Sequence, residues 1–429
     1  MDALILIGLF LFFVATSLPV AIAIGTTVLA FSFIYPDEVG NIAFIFQNMF
    51  SALNNFPILA VPFFMLAGSL METGGLSKRL VNVANKLVGN ATSGLAFVAI
   101  LACMLFGAIS GSAPATVAAI GGIMMPAMVK YKYSQEFAAG LMSCAGGLGI
   151  IIPPSIPLII YGVSTGTSIG DLFLAGIFPG ILVGILLMVS SYIVGKKRGY
   201  AGTGHRFDKK EFIAAVWDAK WALAMPVVIL GGIYSGAFTP TEAAVVGCVM
   251  GILVGFFIYK ELSLKDIVKV MIGNGTLVGV AFLTFGTANS LAYLVSVTDI
   301  PFRISELIES FTVNPVVILL MINGFLLIVG MFMDPTSANL VFSALLLSLV
   351  EPLGINPVHF GLIVTLNLAM GFVTPPFASN VFLTSNLTGV PVTAIVRESL
   401  PHLGAMFVAL ALVTYVPQIS MLPFILMGR

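Results

Sequence analysis

The feature that most constrains this chain is the length of its uncharged apolar runs. The first covers residues 3–36, and others cover 172–195 and 313–333. Each reaches or exceeds the roughly 20 apolar residues that a helix needs to cross a bilayer. Backbone that meets lipid must satisfy its hydrogen bonds internally, which leaves helices or closed barrels. Runs of this length predict an all-α polytopic membrane protein.

Composition supports the same class and excludes others. Only 8% of the 429 residues are charged, 59% are hydrophobic, and the mean hydropathy is +1.11, far outside the range of soluble proteins. A formal net charge of zero without a long basic tract argues against nucleic acid as a partner. The start, MDALILIGLF, has no basic n-region. We therefore expect a retained first helix rather than a signal peptide.

Landmark residues recur at a nearly constant offset of 221 to 224 positions, which indicates an internal duplication. The matched landmarks are 33–35 with 257–259, Pro19 with Pro240, Ser69 with Ser290, Gly107 with Gly330, Phe137 with Phe360, and the pair Pro153 and Pro154 with Pro375 and Pro376. Each copy contains five predicted crossings. Because five is odd, the second copy must be inverted relative to the first.

The predicted organisation is therefore two inverted copies joined by a linker. The first copy, 1–195, has scaffold helices in 1–72, an amphipathic arm in 74–90, a re-entrant hairpin in 91–130, a broken helix in 135–165 and a last helix in 171–195. The hydrophilic linker covers 196–217. The second copy, 218–429, has scaffold helices in 218–292, an arm in 299–312, a hairpin in 315–350, a broken helix in 358–386 and a last helix in 398–423.

Basic residues set the predicted orientation. With the linker in the cytoplasm, 16 of the 18 Lys and Arg residues fall on that side, and only Arg303 and Arg429 fall outside. The loops after the first two matched landmarks also differ in sign, with Asp37 and Glu38 in one and Lys260 in the other. This arrangement predicts periplasmic N- and C-termini.

A polar tip interrupts each predicted hairpin, SGSAPAT in the first and MDPTSAN in the second. Ser112 and Asp334 are good N-cap residues, each with a proline in the following turn. Each tip would end one half-helix and begin another, with free N–H groups and a positive dipole end that favour an anion. The residues expected to contact an anionic solute here are Ser112, Pro114, Thr116, Pro335, Thr336, Ser337 and Asn339.

A proline pair breaks each copy, in GLGIIIPPSI and in GFVTPPFASN. Proline lacks an N–H group and frees the carbonyl four residues earlier, so several oxygens lose their helical partners. Within a bilayer a hard cation such as Na⁺ can satisfy them. The predicted Na⁺ ligands are Ser110, Gly149, Ile152 and Pro154 in the first copy, and Met333, Asp334, Gly371, Thr374 and Pro376 in the second.

Other polar residues have both a functional and a structural interpretation. Asp334 is the only ionisable residue expected inside the bilayer, where a carboxylate is costly enough to indicate function, but it could also be a plain helix cap. The residues that could bind a polar solute, or merely satisfy backbone, are Ser155, Ser164, Thr165, Asn380, Thr384 and Asn386. The histidines His205, His359 and His402 are expected to be solvated or capping residues, and the cysteines Cys103, Cys144 and Cys248 buried thiols.

The segments SGSAPATVAAIGG, GGLGIIIPPS, MDPTSAN and MGFVTPPFASN resemble the large membrane subunit of TRAP (tripartite ATP-independent periplasmic) transporters, and the resemblance covers essentially the entire chain. It implies an ion-transporter-superfamily fold in the bacterial inner membrane, with elevator movement of a hairpin-containing core. It also implies Na⁺-driven import of an organic acid, a periplasmic solute-binding protein, and a small membrane subunit, expected here as a separate chain. The family's Na⁺ sites fall on the positions named above. The sialic-acid branch is most similar, with C4-dicarboxylates as the alternative substrate.

Other classes of membrane protein share some of these features. A stand-alone divalent-anion/sodium symporter shares hairpins and an inverted repeat, and would differ by needing no binding protein. An intramembrane aspartyl protease needs two membrane carboxylates, whereas only Asp334 is expected there. A rhomboid-like serine protease needs a serine together with a membrane-embedded histidine, and none of the three histidines is expected to qualify. We therefore predict a transporter and no enzyme.

Overall fold

The computed structural model describes residues 2–16, 18–36, 42–204, 207–298, 312 and 314–428. These residues form helices joined by turns, and no strand occurs among them. Eight helices are long and apolar enough to cross a membrane, or up to ten if each of two bent pairs is one span. The prediction of an all-α polytopic membrane protein is thus confirmed.

The first part of the chain contains eleven of the described helices. They are α1 (Asp2–Ala15), α2 (Val20–Ile34), α3 (Ala43–Leu53), α4 (Ala60–Thr73), α5 (Leu76–Val88), α6 (Gly94–Ser110), α7 (Ala113–Lys130), α8 (Gln135–Ala145), α9 (Leu148–Ile151), α10 (Ile156–Thr165) and α11 (Ile169–Arg198). A turn of 3₁₀ helix, Phe56–Leu59, precedes α4, and α7 contains a π-helical segment at Val117–Gly121.

Ten further described helices follow. They are α12 (Lys209–Asp218), α13 (Lys220–Tyr234), α14 (Pro240–Ile258), α15 (Leu264–Val297), α16 (Pro315–Phe332), α17 (Pro335–Val350), α18 (Pro357–Gly371), α19 (Ser379–Thr388), α20 (Val392–Tyr415) and α21 (Gln418–Leu426). Two begin with a capping box, in which Thr239 and Glu242 start α14 and Ser263 and Asp266 start α15. Such boxes satisfy N–H groups that a helix start leaves free.

The helices pack into two groups. In the scaffold group, α15 lies against α2, α3 and α4, while α14 lies against α4. The core group contains the hairpins α6–α7 and α16–α17 and the broken helices α8–α10 and α18–α19, together with α11 and α20. Helices of the two predicted copies interlock in this core, because α10 packs on α17, α8 on α19 and α20, and α9 on α18. The groups touch where α15 meets α17 and α4 meets α6.

Several helix bounds differ from the sequence prediction. Helix α3 was not predicted, and α15 begins at Leu264 rather than near 274 because its capping box starts a helix that carries Lys265 and Lys269 in its first turns. The predicted linker is partly helical, since α11 continues to Arg198 and α12 lies within 209–218. The second predicted arm falls almost entirely on residues outside the described part of the chain, as do Asp37, Glu38, Arg303, Arg429 and His205.

The interpretation of two histidines as solvated or capping residues is wrong. His359 is 3% exposed and His402 is fully buried. The Nδ1 atom of His359 lies 3.0 Å from the Ser420 hydroxyl, and that of His402 lies 3.0 Å from the Ser190 hydroxyl. Each imidazole is buried because a serine distant in sequence supplies a hydrogen-bond partner. The three cysteines are free and buried, as predicted.

The predicted first arm contains α5, which ion pairs attach to neighbouring elements. Arg79 lies 2.6 Å from a Glu261 carboxylate oxygen, and its guanidinium stacks 3.6 Å above the Tyr259 ring centroid. Lys86 lies 2.5 Å from Glu211 on α12. The arm is thereby attached both to the end of α14 and to the linker.

Two described segments connect the core to the rest of the chain, one between α5 and α6 and one between α11 and α12. Backbone hydrogen bonds join these two segments to each other. The Thr203 N–H donates to the Gly89 carbonyl at 2.8 Å, and the Ser93 N–H donates to the Tyr200 carbonyl at 3.1 Å. Tyr200 is only 9% exposed, and its ring stacks on that of Tyr133 with centroids 4.3 Å apart. The end of the arm and the start of the linker therefore form one joint.

Candidate functional site

The first hairpin consists of α6 and α7, and its tip lies against the first Pro–Pro break. The Ile156 N–H donates to the Gly111 carbonyl at 3.2 Å. A Cβ atom on Gly111 would lie 2.9 Å from the Pro154 carbonyl oxygen, and one on Gly107 would lie 3.0 Å from the Gly149 Cα. Gly111 also has a φ of +62° at the turn between the two helices. Backbone meets backbone here, which glycine permits because it has no side chain.

Hydroxyl groups gather at this contact. Ser110 is 1% exposed, and its Oγ lies 3.2 Å from the Thr116 Oγ1. Thr116 donates to the Ser112 carbonyl at 2.8 Å, and the Ser112 hydroxyl accepts from the Ala115 N–H at 3.4 Å as the predicted N-cap of α7. A Cβ atom on Gly149 would collide with the Thr116 hydroxyl. The structure thus brings together four residues that the sequence assigned to ion or solute binding.

In a helix each carbonyl oxygen accepts a hydrogen bond from the N–H group four residues later. Three carbonyl oxygens of the first break lack this bond. They belong to Gly149, Ile152 and Pro154. Pro153 has no N–H group, the Ile156 N–H bonds to Gly111, and the Leu158 N–H bonds to the Ser155 hydroxyl at 3.4 Å. Hard oxygen atoms of this kind can replace the hydration shell of a monovalent cation.

The second hairpin, α16 and α17, meets the second break in a similar way. The Phe377 N–H donates to the Met331 carbonyl at 3.2 Å. A Cβ atom on Gly371 would collide with the Gly330 carbonyl group. The Gly371 carbonyl accepts from the Thr374 N–H at 3.2 Å, so it keeps one lone pair for another partner. Each hairpin tip therefore lies against one Pro–Pro break.

The two breaks differ in exposure. Pro153 and Pro154 are buried, whereas Pro375, Pro376 and Phe377 are exposed. Both Pro–Pro peptide bonds are cis. Of the ligands predicted for the second Na⁺ site, Pro376 is thus exposed, whereas Met333 and Gly371 are buried.

Asp334 is the N-cap of α17, with Pro335 in the first turn, as the sequence predicted. Its Oδ1 accepts from the N–H groups of Thr336 at 3.0 Å and Ser337 at 3.1 Å, and its Oδ2 accepts from the Ser337 hydroxyl. Met333, which precedes it, is 5% exposed. Asp334 therefore acts as a cap in this structure, and its carboxylate retains lone pairs that could bind a cation.

The predicted solute-binding residues divide into two kinds. Asn380 is fully buried, donates to the Ser143 carbonyl at 3.0 Å, and has no partner for its Oδ1 atom within the described segments. Ser155 caps α10 and donates to the Ile150 carbonyl at 2.5 Å. The remaining predicted residues either donate a hydrogen bond to a carbonyl of their own helix or are exposed. Ser164 and Thr165 donate to Tyr161, Thr384 donates to Val381, Asn339 donates to Pro335, and Asn386 is exposed.

Sequence reasoning missed one polar cluster beside the second break. Asn323 on α16, Asn367 on α18 and Thr414 on α20 form a hydrogen-bonded chain among buried side chains. The available signal was the position of Asn367, which stands one helical turn before Gly371 in a largely apolar segment.

The donor chemistry at both breaks is that of a hard, weakly polarising cation. The described residues contain no group of three or more His, Cys, Asp or Glu side chains that could hold a transition metal. The oxygens present are backbone carbonyls, hydroxyls and one carboxylate, which suit hard cations. The residues therefore fit Na⁺.

A helical membrane fold with polar, broken segments meeting in its core defines a multi-pass membrane transporter. Residues 7–419 match the family described as the DctM component of the tripartite ATP-independent periplasmic transporter. The chain belongs to this family, whose members are transporter permeases and not enzymes. Permeases of this family work with a substrate-binding protein and often with a small membrane subunit.

Curated relatives match over most of the chain. An isethionate TRAP transporter permease protein DctMQ from Oleidesulfovibrio alaskensis is 41% identical over 97% of this chain, which spans 65% of that relative's length. A C4-dicarboxylate TRAP transporter large permease protein DctM from Pseudomonas aeruginosa is 42% identical over 92% of this chain and 91% of the relative. A sialic acid TRAP transporter large permease protein SiaM from Vibrio cholerae is 38% identical over 94% of both. Relatives with three different named substrates are thus about equally similar.

A solved structure supports the fold. The YdaH transporter of Alcanivorax borkumensis has a TM-score of 0.57 and 13% sequence identity, and the match covers 90% of this chain and 88% of that one. At this identity the likeness shows the fold alone.

Proposed function

We propose that this chain is the membrane permease of a Na⁺-coupled importer, which moves an organic acid delivered by a periplasmic substrate-binding protein across the bacterial inner membrane. The observation that carries the proposal is the contact of each hairpin tip with one Pro–Pro break. These contacts join Gly111 to Ile156 and Met331 to Phe377 through backbone hydrogen bonds. Two matched breaks in a membrane fold are the usual location of the ion and solute sites of secondary transporters.

The proposed Na⁺ ligands are residues that offer oxygen atoms at the two breaks. In the first site they are Ser110, Gly149, Ile152 and Pro154, and in the second they are Met333, Asp334, Gly371, Thr374 and Pro376. The Na⁺ gradient supplies the driving force when the ion is bound. The chain itself supplies oxygens fixed by glycine contacts, so little reorganisation accompanies binding.

The proposed solute site lies between the two hairpin tips. The starts of α7 and α17 present positive dipole ends, which favour a carboxylate. The N–H groups of Ala115, Thr336 and Ser337 already donate to the caps Ser112 and Asp334. Ser112, Thr116, Thr336 and Ser337 stand in those first turns or at their caps. Asn380 extends the site, since its Oδ1, which has no partner among the described residues, can accept a hydrogen bond from a solute hydroxyl.

The proposed architecture has inverted repeats with periplasmic termini, and transport occurs by elevator movement of the core against the scaffold. The separate packing of these two groups supports the division into core and scaffold. The small membrane subunit is proposed as a separate chain. Because this chain spans only 65% of the length of the relative named DctMQ, reconstitution is carried out both with and without the small subunit.

The test is uptake of radiolabelled sialic acid into proteoliposomes, with the small subunit and purified binding protein present, with and without an inward Na⁺ gradient. Uptake that requires both Na⁺ and the binding protein supports the proposed Na⁺-coupled import and supports sialic acid as the substrate. Uptake without the binding protein would instead identify a stand-alone symporter.

C4-dicarboxylates are a second, equally supported substrate class, since the identity is 42% to a C4-dicarboxylate permease and 38% to a sialic acid permease. Succinate is therefore measured in parallel with sialic acid. Uptake of succinate without uptake of sialic acid would assign the chain to C4-dicarboxylates.

A further inference from the structure

A chain of buried amides links three core helices. Asn367 on α18 donates to the Asn323 Oδ1 on α16 at 2.7 Å and to the Ile363 carbonyl at 2.8 Å. Asn323 in turn donates to the Thr414 hydroxyl on α20 at 3.1 Å. Asn367 is fully buried, Asn323 is 6% exposed and Thr414 is 1% exposed. The amide pair thus lies deep in the core.

The two asparagines lie on the same faces of α16 and α18 as the glycines Gly330 and Gly371, which form the contact at the second break. Asn323 stands seven residues before Gly330 on α16, and Asn367 stands four residues before Gly371 on α18. Spacings of four and seven are close to whole turns, so each asparagine lies on the face of its glycine. The two helices therefore touch through the glycine pair and, about one to two turns away, through the amide pair.

Packing alone does not explain why amides occupy these positions. A buried amide costs free energy unless all its groups are paired, and the Asn367 Oδ1 has no hydrogen-bond partner among the described residues. Apolar side chains of similar volume would often be neutral or stabilising at such a place. The best-attested role of a single buried polar pair is to fix the register of two helices.

The first copy lacks this pair although it has the same glycine contact. Ile100 stands seven residues before Gly107, and Ala145 stands four residues before Gly149. Both side chains are fully buried and apolar. The amide pair is therefore a feature of the second break and not a general requirement of the hairpin contact.

We propose that the Asn323–Asn367 hydrogen bond fixes the register of α16 against α18, and so positions Asp334 relative to Gly371 in the second Na⁺ site. The inference rests on the proposed function for that site. A shift by one residue would move α16 by about 1.5 Å along its axis, which is enough to separate ligands of one ion. Asn323 and Asn367 are thus positioning residues and are not proposed as ligands.

The test is the Na⁺ dependence of thermal unfolding of the purified full-length protein carrying Asn367→Leu, with K⁺ replacing Na⁺ at constant ionic strength. Ligand binding to the native state raises its unfolding temperature. Without Na⁺ we expect this single variant to unfold at the same or a lower temperature than the natural protein, because the buried Asn323 Oδ1 loses its donor. The Na⁺ concentration for half-maximal stabilisation should rise at least about tenfold, because loss of a residue that orients metal ligands typically weakens metal binding by that factor. An unchanged Na⁺ dependence would overturn the inference.

Asn274→Leu is the matched control. Asn274 is 8% exposed on scaffold helix α15, it donates to the Pro62 carbonyl at 3.4 Å, and its Oδ1 also lacks a partner among the described residues. Its replacement should leave the Na⁺ dependence unchanged. An equal shift in both variants would overturn the inference, because the effect would then not depend on position.

A second variant covers the case in which Asn367→Leu does not fold. The double variant Asn323→Leu/Asn367→Leu leaves neither amide without its partner, and it should show the same shift in Na⁺ dependence. Failure of both variants to fold would assign the pair a purely structural role and overturn the inference. A natural protein without any response to Na⁺ would overturn the proposed Na⁺ coupling itself, which is a distinguishable result.

Discussion

Asp334 combines two tasks at the residue scale, because one carboxylate caps α17 and is also the proposed ligand of the second Na⁺. The two tasks can be separated, since Asn caps a helix about as well as Asp. Asp334→Asn should therefore fold normally but lower Na⁺-driven uptake at least about tenfold. Asp334→Ala should lower uptake and also destabilise the protein by about 1 kcal/mol, because it loses the cap.

Uptake in proteoliposomes and thermal unfolding in detergent measure these two effects separately. Normal uptake by Asp334→Asn would remove the carboxylate from ion binding and leave it as a cap only. The orientation of the vesicles is checked with the natural protein in the same preparation.

The contact of Gly330 with Gly371 gives a second prediction at this scale. A methyl group on Gly371 would collide with the Gly330 carbonyl, which belongs to backbone and cannot rotate away. Overpacking of this kind costs about 1 to 3 kcal/mol or more. We expect Gly371→Ala to lower the unfolding temperature and to reduce uptake.

Gly122→Ala is the control for this substitution, since a Cβ atom there would have no neighbour within 4 Å. Alanine is the better helix former, so Gly122→Ala should be neutral or stabilising. Equal unfolding temperatures for the two variants would contradict the proposed importance of the close contact.

At the scale of elements, the joint between arm and linker depends on Tyr200. Its ring is buried against Tyr133, and its hydroxyl accepts from the Ser134 N–H at 3.2 Å. Tyr200→Ala should lower the free energy of unfolding by about 3 to 5 kcal/mol, as for other buried aromatic residues. Tyr200→Phe keeps the ring and should cost only about 1 kcal/mol.

Chemical or thermal unfolding of the two variants in one detergent gives this comparison. An equally small effect of both substitutions would mean that the linker is not held at this joint. Because the joint lies outside the proposed ion sites, the Na⁺ dependence of the remaining folded protein should stay unchanged in both.

The elements that could be predicted were those with local signals. The caps at Ser112 and Asp334 and the Pro–Pro breaks are visible because a capping residue or a proline changes the backbone where it stands. Helix α3 was missed, since its eleven residues, AFIFQNMFSAL, are too short and too polar to suggest a span. The burial of His402 was also missed, because its partner Ser190 is 212 positions away and no local pattern reports such a pair.

At the scale of the whole molecule, the proposed orientation can be tested with introduced cysteines. The three natural cysteines are buried and free, so they should give little background with a membrane-impermeant thiol reagent. Lys210 lies in the proposed cytoplasmic linker and Glu351 follows the second hairpin on the proposed periplasmic side, and both are exposed. Glu351→Cys should be labelled in intact spheroplasts.

Lys210→Cys should be labelled only after the membrane is permeabilised, because the reagent cannot reach the cytoplasm otherwise. The opposite pattern would invert the proposed topology. Labelling of both positions in intact spheroplasts would place the linker and the second hairpin on one side and contradict the inverted repeat.

The interlocked packing of the two copies has a consequence for biosynthesis. Ser190 is paired with His402, which lies 212 positions later in the chain. At about 5 to 20 residues per second, the ribosome needs roughly 10 to 40 s to make that partner. During this time the first half is in the membrane, and the Ser190 hydroxyl lacks the partner that the second half provides. We therefore expect the newly made first half to remain bound to the insertion machinery until synthesis is complete.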